Sequence, residues 1–119
     1  MFGRIERHPA VVQFLQLLET DSELHRVSLG VIARRIGVST SHLQHLVQRD
    51  LGTTCRQLIR VKCVERLSQS LHEHPEQTIA EIAYQHGYEP QTMYRYFTAV
   101  LGMNPSTVRR TELKLPRRN

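Results

Sequence analysis

The sequence predicts an all-α protein of about seven helices, built as two helix-turn-helix subdomains joined by a long linking helix. Three observations carry this reading. Apolar residues recur three and four apart instead of alternating, which is the period of an amphipathic helix. Glycine and proline fall between the periodic segments, where they punctuate helices. And Ser28 to Gly52 lies over Thr78 to Gly102 without a gap, fifty residues apart, with Ile32 on Ile82, Ala33 on Ala83, Gly37 on Gly87, Leu51 on Leu101 and Gly52 on Gly102. A period of that length marks one supersecondary unit used twice.

The first helix is expected from about Pro9 to Thr20, with Val11, Phe14, Leu15 and Leu18 on its inner side. Ser28 is suited to cap a short second helix, in which Ala33 lets the next helix approach and after which Gly37 supplies the positive φ of a sharp turn. Ser39 then caps a third helix whose Leu43, Leu46 and Val47 face a core. Thr54 to about Glu73 reads as one long helix with Leu58, Val61, Val64, Leu67, Ser68 and Leu71 along one face. At 1.5 Å per residue it would span ~27 Å, enough to set two reading helices about one turn of DNA apart. Thr78 with Glu81 forms a capping box, Gly87 makes the second turn, and Pro90 occupies the first turn of the next helix. Tyr84, Tyr88, Tyr96 and Phe97 have the spacing of core residues, and His72 and His74 that of a solvated loop before Pro75. Asn104-Pro105 starts the last helix. The expected organisation is residues 1–53 as the first lobe, 54–73 as the linking helix, 74–112 as the second lobe and 113–119 as a basic tail.

The net charge is +5 with a pI near 9.8, so a polyanion is a better partner than a neutral surface. Residues 28–70 carry seven basic and two acidic groups (+5), whereas 71–108 carry one and four (−3). No apolar run nears the ~20 residues of a membrane helix, and the N-terminus lacks a signal-peptide core, so a cytoplasmic protein without membrane contact is expected. Cys55 and Cys63 lie eight apart on one helix, ~12 Å between Cα atoms, too far for a disulfide. His42 and His45 are one turn apart, but no third ligand joins them at metal spacing, so neither metal nor cofactor is expected. Ser39, His42 and Asp50 share one polar helix with no second element to make a cleft, so no enzyme is expected.

With Leu43, Leu46 and Val47 inward, Thr40, Ser41, Gln44, His45 and Gln48 are expected to point outward. Gln can bond adenine bidentately, and His can meet base edges as donor or acceptor. Ser is permissive, and in the second lobe the same phase turns Gln91, Tyr94 and Arg95 outward as candidate base contacts. Arg95 suits guanine O6 and N7; the bland alternative for it is a salt bridge to Glu89 or another carboxylate. Thr40, Arg34, Arg35, Arg49, Arg56, Arg60, Arg109 and Arg110 are candidate phosphate contacts, with Arg117 and Arg118 in the tail. From the charge blocks, the first lobe is expected to anchor and the second to discriminate or engage only in part.

Five stretches, "IARRIGVSTSHLQHL", "LGTTCRQLIRVKCVERL", "TIAEIAYQHGY", "QTMYRYF" and "LGMNPSTVRR", together resemble the DNA-binding region of the AraC/XylS transcription regulators over about residues 10 to 110. The resemblance implies a seven-helix domain that binds asymmetric promoter sites in double-stranded DNA, with its base-reading positions in the first lobe falling on Ser41, Gln44 and His45, and that activates transcription through RNA polymerase. It also implies that the chain is either a small single-domain member or a piece of a larger regulator. Three departures stand out: the second turn is one residue shorter between Gly87 and Gln91 than the family commonly has, His86 replaces a usual core aliphatic, and Lys62 an arginine. The expectation is a sequence-specific regulator contacting two successive major-groove segments as a monomer. The rival is a protein-interaction module that docks on polymerase or another regulator.

Overall fold

The computed structural model describes residues 6–111, and every regular element among them is helical. The elements are α1 (Pro9–Thr20), a 3-10 turn (Leu24–Arg26), α2 (Leu29–Ile36), α3 (Thr40–Leu51), α4 (Cys55–Glu73), α5 (Ile79–Gln85), α6 (Pro90–Leu101) and α7 (Pro105–Thr111). Two compact units divide within α4, one ending at Ile59 and the other beginning at Arg60.

The first unit packs α1, α2, α3 and the start of α4 around Val11, Phe14, Ile32, Leu43 and Val47, all fully buried. Each such side chain withdrawn from water contributes roughly 1.5–3 kcal/mol, so this cluster is what holds α3 in place. Ser28 and Ser39 cap α2 and α3, their hydroxyls accepting from the Val31 and His42 N–H groups at 3.2 and 3.0 Å. Gly37, at φ +95°, ends α2 in the left-handed region, and the Val38 N–H returns to the Ala33 carbonyl at 3.0 Å.

The second unit repeats this geometry fifty residues on. Thr78 and Glu81 close the capping box, and Tyr88 N–H returns to the Ala83 carbonyl at 2.9 Å. The duplication runs further than side-chain identity shows. Thr54 accepts from Gln57 N–H at 3.1 Å and Asn104 from Thr107 N–H at 2.8 Å, so α4 and α7 begin alike although Thr54 and Asn104 differ. Shifted by the same fifty residues, buried Phe14 and Leu18 of α1 fall on buried Val64 and Ser68 of α4. Phe97, Ile82, Met93, Leu67, Leu71 and Val108 are among the fully buried residues of the second unit.

Two sequence readings change here. Tyr84 is 59% exposed instead of core, since the inward stripe of α5 is filled by Ile82 and Ala83. His72 is not in a loop but in the last turn of α4, its Nε2 at 3.1 Å from the Val108 carbonyl. Lys62, on the linking helix, is buried and pairs with Glu65 at 2.9 Å. Among the described residues no helix is long and apolar enough to cross a membrane. Both cysteines are free and buried.

Candidate nucleic-acid interface

Capping and burial set the direction of α3. Ser39 fixes its first turn, and Leu43, Leu46 and Val47 lock its inner stripe into the first core. Ser41, Gln44, His45 and Gln48 are consequently all exposed on the opposite side. On α6, Met93 and Phe97 form the inner stripe, which leaves Gln91, Tyr94, Arg95 and Thr98 exposed, Tyr94 at 40%. Gln48 and Thr98 extend the two outward stripes by a turn. Arg95 donates to Thr92 Oγ1 at 3.3 Å, a contact within its own helix that leaves the guanidinium at the surface.

The candidate phosphate residues separate into three groups. Thr40 is half-buried at the start of α3, its hydroxyl packed near Gly30, while Arg34 and Arg56 are exposed on α2 and α4. Arg35 and Arg49 are exposed but paired, Arg35 with Asp21 at 3.0 Å and Arg49 with Asp50 at 2.7 Å. The more exposed Arg35–Asp21 pair is worth little, whereas the Asp50 side chain is only 8% exposed. Asp50 is held below the usual carboxylate range by its bond from Arg49 and by the His8 backbone N–H.

The third group belongs to the second unit. Arg60 is half-buried with its guanidinium 5.9 Å from the centre of the Tyr96 ring. Arg109 donates to the Leu71 and His74 carbonyls at 3.3 and 3.2 Å, closing the end of α4. Arg110 is exposed beside Thr107. Arg117 and Arg118 lie outside the described residues.

The charge blocks read along the chain do not coincide with the folded units, because Arg60, Lys62 and Arg66 join the second. Over residues 6–59 there are six basic and five acidic side chains, and over 60–111 again six and five, a net +1 each. The contrast survives only at equivalent positions. Arg34, Arg35, Arg49 and Arg56 stand where the second unit has Tyr84, Gln85, Ala99 and Ser106.

The second unit also holds a polar cluster that sequence alone did not show. His86 Nε2 lies 2.8 Å from Ser70 Oγ, and burial, helped by the Arg66 charge, lowers its proton affinity. Cys63 and Tyr88 are hydrogen-bonded to each other, and Tyr88 meets Tyr96 edge to face at 6.0 Å. These side chains lie inside or half inside and prop the turn before α6. No cluster of three or more metal-ligating side chains exists among the described residues.

Comparison with known proteins agrees with this geometry. The structure is similar to the C-terminal domain of AraT, a response regulator from Geobacillus stearothermophilus, with a TM-score of 0.80 at 22% identity, covering 97% of this chain and 94% of that one. No curated protein matches the sequence. Residues 32–111, about two thirds of the chain, match the family described as "Helix-turn-helix domain", of the AraC type. With two capped helix-turn-helix units whose second helices expose polar stripes, the chain belongs to the AraC-type helix-turn-helix family of DNA-binding transcription regulators.

Proposed function

We propose that the protein is a sequence-specific regulator that reads two successive major-groove segments of double-stranded DNA as a monomer, α3 and α6 each entering one segment. The observation that carries this is the exposure of Ser41, Gln44, His45, Gln91, Tyr94 and Arg95 on the second helices of two duplicated units. Base edges are read by side chains of this kind, whereas phosphate contacts position the protein. The first unit anchors, because it carries Arg34, Arg35, Arg49 and Arg56 on α2, α3 and α4 where the second unit has neutral residues. The second unit adds discrimination through Arg95. The resemblance to the AraC/XylS regulators supports activation and RNA polymerase as a further partner.

Titration against specific and scrambled duplexes at several salt concentrations tests this. Gln44→Ala and His45→Ala should each cost about 1–3 kcal/mol on the preferred site and relax preference at one base position. Arg56→Ala should weaken all duplexes alike and flatten the log–log salt slope by about 0.9. Equal losses on both duplexes for all three variants would contradict the assignment. Affinity that ignores salt would favour the protein-interaction module.

A further inference from the structure

The two second helices match each other position by position. α3 spans Thr40–Leu51 and α6 spans Pro90–Leu101, twelve residues each, with bounds fifty apart at both ends. Gly52 and Gly102 close them at φ of +71° and +69°. The turn before each returns an N–H to the equivalent carbonyl, Val38 to Ala33 at 3.0 Å and Tyr88 to Ala83 at 2.9 Å. Leu43 and Val47 are fully buried, and so are their equivalents Met93 and Phe97. Each helix therefore turns the same stripe into the core of its own unit and the same stripe out. The outward stripes pair Ser41 with Gln91, Gln44 with Tyr94, His45 with Arg95 and Gln48 with Thr98, and all eight side chains are exposed. At every one of these pairs the chemistry differs, while the inward residues stay apolar.

We propose that these four positions are one reading code used twice: each unit presents them to its own DNA segment in the same register, so that exchanging the side chains exchanges the base sequence selected. Gln48 and Thr98 thereby join the specificity-determining residues. This rests on the DNA-binding reading above and goes beyond it in fixing which positions correspond. The chemistry of each pair then says how the two segments differ. Gln44 takes N6 and N7 of adenine, whereas the apolar ring edge of Tyr94 packs on the methyl of thymine. Arg95 takes O6 and N7 of guanine through two N–H groups at once, which the imidazole of His45 cannot do. Gln48 again suits adenine, and the methyl of Thr98 suits that of thymine. The first segment is thus selected chiefly through adenine, the second through guanine and thymine. Arg34, Arg35, Arg49 and Arg56, which the second unit lacks, set how tightly the first unit holds DNA and not which bases it reads, since phosphate contacts carry no sequence information.

The experiment selects bound duplexes from a random pool with the full chain. Gln44→Ala and Tyr94→Ala should each blur one of the two enriched segments and so assign them to the units. The combined variant Ser41→Gln, Gln44→Tyr, His45→Arg and Gln48→Thr should then enrich a first segment that copies the second, and leave the second as it was. In competition it should prefer a duplex carrying the second segment twice over the wild-type site by roughly five- to hundred-fold, the discrimination of one good base contact. The reverse exchange, Gln91→Ser with Tyr94→Gln, Arg95→His and Thr98→Gln, should yield the first segment twice. Every exchanged side chain is exposed, so circular dichroism melts should stay near the wild type; if one exchange unfolds its unit, the other decides. Gln48→Thr alone should change one base position of the first segment. No change there, or an exchanged segment that matches neither original, overturns the proposal, the latter because the arginines of the first unit would then be setting a register of their own. A pool in which the wild-type chain enriches nothing sinks the DNA-binding reading itself, whereas two enriched segments that resist exchange refute only the shared register.

Discussion

Arg109→Ala separates a structural cation from a DNA contact. The Arg109 guanidinium donates to the carbonyls of Leu71 and His74 at 3.3 and 3.2 Å, and so ties α7 to the end of α4. Hydrogen bonds from a charged donor contribute roughly 1.5–3 kcal/mol. Both bonds here are long and the side chain is half-exposed, so the low end of that range applies, about 1.5 kcal/mol for the pair. The positive charge also faces the carbonyl end of α4, where a cation is favoured. Each kcal/mol shifts the midpoint of a small domain by roughly 4–8 °C. All four tyrosines, Tyr84, Tyr88, Tyr94 and Tyr96, lie in the second unit and there is no tryptophan, so tyrosine fluorescence in urea or heat reports on that unit. The midpoint should fall while the salt slope of DNA binding stays the same. An unmoved midpoint with a slope flatter by about 0.9 would refute the structural role and restore Arg109 to the phosphate contacts.

Other outcomes follow from the same geometry. Gly37→Val should destabilise the first unit by about 1–2 kcal/mol, seen in thermal melts by circular dichroism. The added Cβ meets nothing within 4 Å, so the cost at that atom is the φ of +95°. Gly30→Ala should instead stabilise by about 0.5 kcal/mol, since Thr40 Oγ1 and Ser28 Oγ would be at 3.6 and 3.7 Å, ordinary contact distances; the second unit already has Ala80 there. A lower melting temperature for Gly30→Ala would show that the space is tighter than these distances imply. Because burial lowers the proton affinity of His86 in the fold, its contribution to stability is present above the unfolded value of about pH 6.5 and is lost as pH falls through the folded one. His86→Gln, which can still bond Ser70, should flatten the acid side of the second unit's stability curve; an unchanged curve would assign the loss to other groups. Burial pushes the Cys55 thiol up to about 11 and raises that of Cys63, so an aromatic disulfide reagent near neutral pH should label both only after unfolding. Prompt labelling of the native chain would contradict their burial.

The sequence by itself determined the local structure and the inward and outward stripes. Pro9 and Thr20 bound α1 as its pattern required, Gly37 and Gly87 take positive φ, and Gln44 and His45 are exposed because Leu43, Leu46 and Val47 are buried. These are short-range matters, set by caps, turns and a period of 3.6 residues. What only the tertiary structure decided concerns groups whose partners are distant in the chain. It drew Arg60 and Arg66 into the second unit and so evened the charge that had seemed to favour the first. It turned Tyr84 outward, drew Arg109 onto carbonyls 35 and more residues away, and set His8 against α3 across 42 residues. A long polar side chain has several partners within reach of its own sequence neighbourhood. Which one it takes depends on what the packing of the apolar stripes brings beside it.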